Sequence, residues 1–192
     1  MQKIALGFLM TAAMVLPCFS DANVGQPAPE FTAVSSAGQT VKLSDYKGKY
    51  VVLEWTNNQC PFVKGQYDSG KMQAQQKKWT GQGVVWLSVC SSAEGKQGYL
   101  DAAGTNQLLK DKGASPTLSL LDKTGAVGHL YGAKTTPHMF VINPEGKVIY
   151  NGAIDDRKEK NYVDSALTEA RAGGTVSADQ TQPYGCSVKY SE

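Results

Sequence analysis

Apolar runs with strand-like and helix-like spacing alternate along this chain. Tyr50-Val51-Val52-Leu53-Glu54-Trp55 is a nearly continuous β-branched and aromatic run, which predicts a central strand covered on both faces. Val84 to Val89 predicts a second buried strand and Thr117 to Leu121 a third. His138 to Ile142 and Lys147 to Asn151 predict two more, joined by Asn143-Pro144-Glu145-Gly146, a strong turn sequence. Upstream, Phe31 to Val34 and Thr40 to Leu43 flank Ser35-Ser36-Ala37-Gly38-Gln39 and read as a small hairpin, followed by a short turn capped at Ser44-Asp45. Helical spacing starts at Pro61, whose missing amide hydrogen costs nothing in a first turn, and runs to about Trp79, where Gly81-Gln82-Gly83 ends it. Further helical stretches cover Ala93 to Lys112 with a break near Gly104, Val127 to Tyr131, and Tyr162 to Ala172.

Strand, helix, strand, helix, antiparallel pair and final helix imply an α/β fold: a mixed central sheet with helices on both faces. One domain over residues 23–172 accommodates these elements, leaving a Gly/Ser/Gln-containing tail, 173–192, that carries Cys186. No repeat or second domain is visible. The N-terminus has a different character. Lys3 precedes an apolar run from Ile4 to Phe19, and Ser20-Asp21-Ala22 suits signal peptidase, so residues 1–22 read as a secretory signal, with an uncleaved anchor as the alternative. Pro17 argues against lipid modification of Cys18. The expected location is outside the cytoplasm, the periplasm if the source is a Gram-negative bacterium.

A formal net charge of +2, with no basic stripe, excludes nucleic acid as the main partner. Cleavage near Ala22 leaves three cysteines, Cys60, Cys90 and Cys186. An odd count in an exported chain of this size points to redox chemistry rather than a static disulfide framework. Cys60 stands where the central strand gives way to a helix, so the unpaired amides and the positive end of the helix dipole favour thiolate there. The bland alternative is a buried, inert cysteine. Lys64, one turn on, either supports the thiolate or is an ordinary exposed lysine. Asn57, Asn58 and Gln59 orient a substrate or satisfy loop amides. Cys90, at the end of the second strand, is a core residue or a short-range second thiol. His129 and His138 raise the possibility of copper, without a close cysteine pair to support it. Asp155-Asp156 reads as a solvated loop, and Trp55, Trp79 and Trp86 as packing. No phosphate loop, Ser-His-Asp set or paired-carboxylate site is present.

Five ordered segments give the chain a family likeness: Pro27-Ala28-Pro29-Glu30-Phe31, Leu43-Ser44-Asp45-Tyr46-Lys47-Gly48-Lys49, Cys60-Pro61, Thr136-Pro137-His138-Met139-Phe140-Val141-Ile142, and Gly146-Lys147-Val148 with Tyr150-Asn151-Gly152. In these segments the chain resembles the thioredoxin-fold superfamily, within it the peroxiredoxin-like branch of the alkyl hydroperoxide reductase/thiol-specific antioxidant family. The tail segment Pro183-Tyr184-Gly185-Cys186-Ser187-Val188 is similar to one in relatives of this branch. The resemblance implies a three-layer thioredoxin-like sandwich, a reactive Cys60, a cis bond before Pro137, and a substrate groove shaped by Thr136 and Pro137; Asn57 and Pro61, flanking Cys60 in sequence, are expected beside that groove. No cofactor and no resident metal are expected. Three positions depart from the pattern. Val63 stands where thioredoxins carry a second cysteine, and Leu53 and Asn57 stand where peroxiredoxins carry proline and threonine. A lone nucleophile needs a second thiol for turnover. Cys186, swinging in on a flexible tail, or Cys90 would supply it. The implied function is exported thiol oxidoreduction of a hydroperoxide or a protein disulfide, with a thiol reductant protein or a disulfide substrate protein as partner. The alternative is a non-catalytic binding module for a protein or copper.

Overall fold

A computed structural model of the chain describes residues 22–191. All of the expected signal segment except Ala22 lies outside them. The strongest apolar run becomes β3 (Val51–Trp55), in the middle of a five-stranded sheet. On one side β3 pairs in parallel with β4 (Val85–Cys90), which pairs in parallel with β5 (Leu118–Leu121). On the other, β7 (His138–Ile142) and β8 (Val148–Gly152) add antiparallel strands. Every residue of β3 is buried because its alternating side chains enter two cores. Val51, Leu53 and Trp55 pack with Phe31, Leu87, Tyr131 and Phe140, under the hairpin β1 (Thr32–Val34) and β2 (Thr40–Lys42). Val52 packs with Met72, Trp86, Met139 and Leu167 on the opposite face. The helices are α1 (Pro61–Asp68), α2 (Lys71–Thr80), α3 (Ala102–Lys112), α4 (Ala126–Tyr131) and α5 (Tyr162–Arg171). They complete the three layers.

Three sequence expectations change. The single helix from Pro61 to Trp79 is two helices, because Gly70 takes a left-handed φ of 74° between them. Helix α3 starts at Ala102, not Ala93. Residues 93–100 are turns and irregular chain, and Gly104 is no break, since the N-cap Asp101 carboxylate accepts its amide at 2.7 Å. The tail is not loose. Along the β8 edge the Asn151 amide donates to the Asp179 carbonyl and the Thr181 amide to the Asn151 carbonyl, and Tyr150, Ala153 and Thr181 share side-chain hydrogen bonds at 2.6 and 2.9 Å. Farther on, β9 (Cys186–Ser187) pairs antiparallel with β6 (Thr135–Thr136). Tyr190 then donates to the Ala133 carbonyl at 2.8 Å and stacks on His129.

Two buried titratable groups sit in the sheet. Glu54, fully buried, accepts hydrogen bonds from Trp86 Nε1 (2.7 Å), Tyr67 Oη (2.8 Å), Gln76 Nε2 (3.0 Å) and Ser88 Oγ (3.1 Å). Burial pushes its carboxyl up, against the opposing pull of those donors. His138 accepts the Lys134 amide at Nδ1 (3.2 Å), and Nε2 donates to Asn151 Oδ1 (2.7 Å). Burial drives its imidazole down to about 4.

The two groups give opposite pH signatures. Between the ordinary glutamate value and its own raised one, folded Glu54 holds a proton the unfolded chain has lost, so stability falls as pH rises through that window. Glu54→Gln is expected to remove this slope. Glu54→Ala, which strands four buried donors, is expected to cost about 3 kcal/mol or more in urea unfolding. Folded His138 refuses a proton that the unfolded chain binds below pH 6.5. Stability should therefore drop by up to about 3 kcal/mol as pH falls from 6.5 towards 4, and His138→Gln should abolish that loss. An unchanged pH profile in either variant contradicts the corresponding assignment.

Candidate active site

The β3-to-α1 junction is built by Asn57. This side chain is buried, its Oδ1 accepts the Gln59 amide at 2.8 Å, and its Nδ2 donates to the Gln97 carbonyl at 3.1 Å. The Cys60 amide in turn bonds the Asn57 carbonyl at 3.0 Å. The loop across from it passes so close that a Cβ on Gly98 would lie 2.1 Å from Asn57 Oδ1. Asn57 was expected to line the substrate groove. It shapes the loop instead, because both halves of its amide are consumed inside the protein. Pro61 occupies the first helical turn of α1 as predicted, with Cys60 as the N-cap residue.

Facing Cys60 is the Thr136–Pro137 peptide bond, which is cis. The Cys60 thiol donates to the Thr136 carbonyl at 3.0 Å. Thr136 is also the register partner of Cys186 in the β6–β9 pair. Gly185, just before it, adopts φ 136°, and any Cβ there would lie 2.0 Å from the Thr136 oxygen. Glycine is therefore what lets the tail approach this closely. The result is a reduced pair: Cys186 hydrogen-bonds the Cys60 sulfur, and both cysteines are free thiols.

The two sulfurs are not equivalent. Burial pushes the Cys60 thiol up, but hydrogen bonds from the Thr136 side chain, the Val63 amide and Cys186 outweigh it, and the net shift is downward. Burial and the neighbouring Cys60 sulfur push the Cys186 thiol up. The opposite shifts favour Cys60 over Cys186 as the thiolate of the pair. Lys64 takes no part in this shift. The Val63 amide, presented by the first turn of α1, contributes to it instead.

Cys90 lies elsewhere. Its Sγ contacts the Gly98 carbonyl at 3.6 Å, burial pushes its thiol up, and it lines an apolar cavity between α1 and α3 with Val63, Tyr67 and Leu109. His138 has both ring nitrogens engaged, and among the described residues no three metal-ligating side chains gather. Several residues at the site escaped sequence reasoning. Asp155, expected in a solvated loop, is buried and accepts from Gln66 Nε2 at 2.6 Å and from the Tyr184 hydroxyl. Arg157 lies 4.2 Å over the Tyr184 ring, and Tyr184 meets Phe62 edge-on at 5.7 Å. The Pro183-Tyr184-Gly185-Cys186 run was the available signal, since it brackets a cysteine with an aromatic and a glycine.

Comparison with known proteins agrees with this architecture. Residues 24–151 match the AhpC/TSA family. Peroxiredoxin-2 of Cricetulus griseus is 31% identical over 164 residues, covering 79% of each chain. The thiol-disulfide oxidoreductase ResA of Bacillus subtilis is 29% identical over 125 residues, 65% of this chain and 64% of that protein, so under two thirds of ResA is spanned. Among solved structures, the thioredoxin domain of a thiol-disulfide oxidoreductase from Bacteroides vulgatus superposes with a TM-score of 0.56 at 20% identity, covering 78% of this chain and 97% of that domain, a likeness of fold. With a thioredoxin-like sandwich, a cis proline facing the helix-start cysteine and a family match over two thirds of its length, the chain belongs to the AhpC/TSA family.

Proposed function

We propose that this redoxin is a thiol–disulfide oxidoreductase in which Cys60 is the nucleophile and Cys186 the resolving thiol. The observation that carries the reading is the pairing of the two cysteines: Cys186 sits against the Cys60 sulfur, on a strand hydrogen-bonded beside the cis proline. The Cys60 thiolate attacks one sulfur of a partner disulfide, forming a mixed disulfide and releasing the partner's other sulfur as a thiolate that takes a proton. Cys186 then loses its proton and attacks the Cys60 sulfur. The Cys60–Cys186 disulfide forms and the partner leaves with both sulfurs reduced. The reverse sequence oxidises a partner dithiol, and a thiol reductant protein returns the enzyme to its dithiol form. Thr136 and Pro137 shape the groove, Asn57 and Pro61 position the nucleophile, and Cys90 stays outside the cycle. Residues 1–22 direct export, on the strength of their sequence pattern.

A hydroperoxide is the second substrate reading, favoured by the peroxiredoxin similarity. Cys60 would take the distal oxygen as sulfenic acid, with an alcohol or water leaving, and Cys186 would condense with it to the same disulfide and one water. Leu53 and Asn57 in place of the expected proline and threonine, and the engagement of Asn57 in the loop, favour the protein disulfide.

One equivalent of oxidant followed by peptide mass mapping is expected to give a Cys60–Cys186 disulfide with Cys90 free. Cys186→Ser is expected to accumulate a mixed disulfide at Cys60, and Cys60→Ser to leave Cys186 unreacted. A Cys186 that stays free while Cys60 is bonded elsewhere would overturn the pairing. Comparing the rates with a protein disulfide and with hydrogen peroxide separates the substrates.

A further inference from the structure

The strand that covers Cys60 is held by specific contacts on each side of Cys186. Cys60 has no exposed surface, so no external sulfur reaches it while β9 is seated. When this strand lifts, it uncovers the backbone edge of Thr135–Thr136 together with a slot that Tyr184 fills. Phe62 forms one wall at 5.7 Å, edge to face, and the Arg157 guanidinium lies 4.2 Å from the Tyr184 ring and 5.3 Å from that of Phe62. Asp155 accepts the phenol proton at the end of the slot. Gln66 fixes Asp155 from below and keeps a buried Oε1 without a partner. Arg157 holds a left-handed φ of 62°, its amide on Asp155 Oδ1 at 3.0 Å, which turns the loop over the ring. Phe62 is 40% exposed, one of two large exposed hydrophobic side chains among the described residues, even with Tyr184 beside it.

We propose that this slot is a recognition site for an aromatic side chain two residues before the reacting cysteine of an incoming protein disulfide, and that Tyr184 occupies it in competition. The proposal rests on the thiol-exchange reading above. An incoming segment that pairs with Thr136 as Cys186 does places the side chain two positions earlier against Phe62 and Arg157. The intervening residue meets the Thr136 carbonyl, where a Cβ would lie 2.0 Å from oxygen, and so is glycine. The preferred substrate is thus an extended segment with aromatic, glycine and cysteine in succession. Edge-to-face, cation–π and phenol hydrogen-bond contacts supply the selectivity.

The test uses the full chain with Cys186→Ser and Cys90→Ser, so that Cys60 alone reacts and no resolution follows. The probes are Pro-Tyr-Gly-Cys-Ser and Pro-Ala-Gly-Cys-Ser peptides carrying thionitrobenzoate on the cysteine. Attack by the Cys60 thiolate on the peptide sulfur breaks the mixed disulfide, forms the Cys60–peptide bond and releases the coloured thionitrobenzoate anion. The tyrosine peptide is expected to react about tenfold faster. Phe62→Ala and Arg157→Ala should bring the ratio close to one. Tyr184→Ala should accelerate both peptides by freeing the slot, with thermal unfolding confirming that the variant is folded. Equal rates for the two peptides, with or without Tyr184, overturn the recognition site and leave Cys60 chemistry standing. No release from either peptide, even with Tyr184→Ala, overturns the exchange reading itself.

Discussion

The two-residue pairing of Thr136 with Cys186 governs the site. Main-chain hydrogen bonding fixes which side chain of the tail faces Cys60, because a slip of one residue in an antiparallel pair turns every side chain to the opposite face. The same pairing covers the Cys60 sulfur and supplies its second hydrogen-bonding sulfur. Since Val63 removes a second cysteine from α1, the thiol partner has to come from another part of the chain, and strand pairing delivers it with a defined register.

Hydrogen-bond donors, not a lysine, lower the Cys60 thiol. Amide and hydroxyl donors favour the thiolate form of Cys60, which suits a covered site where a lysine ammonium would itself be costly to desolvate. The helix that presents the Val63 amide is in turn anchored from beneath. Tyr67 of α1 and Gln76 of α2 both reach Glu54 on β3, and Trp86 and Ser88 of β4 reach the same carboxyl. One buried acid therefore ties both helices to the two central strands. Its lack of a counter-charge is tolerated because four donors meet it, while burial favours its protonated form.

Much of the fold was legible because burial follows local pattern. The β-branched and aromatic run over Val51–Trp55 had to be a doubly covered strand, and Pro61 after Cys60 had to open a helix. Helix limits were less legible where one glycine decided the outcome: Gly70 splits a helix, while Gly104 is absorbed into one by the Asp101 cap. At the site, Cys60, Pro137 and Cys186 were readable from chemistry and resemblance. Asn57 was not, since an asparagine before a reactive cysteine looks the same whether its amide faces substrate or its own loop. Asp155, Arg157 and Glu54 were hidden for a related reason. Their meaning lies in partners far along the chain, such as Gln66 and Tyr184 for Asp155, which no local periodicity records.

The placement of the tail anchors bears on how the site opens. Thr181 is tied into the β8 edge and Tyr190 into Ala133 and His129, so the segment carrying Cys186 is held on both sides. A tail fixed only at its root would sample a large volume, and its thiol would be dilute at Cys60. With both ends fixed, only the few residues between Thr181 and Tyr190 need lift, and what must break is local: the β6–β9 pair and the Tyr184 contacts. The displaced thiol stays close, so the mixed disulfide at Cys60 is resolved by a neighbour at high effective concentration. Local opening of a strand fastened at both ends thus reconciles a Cys60 sulfur with no exposed surface and the proposed exchange, which requires an external sulfur to reach it.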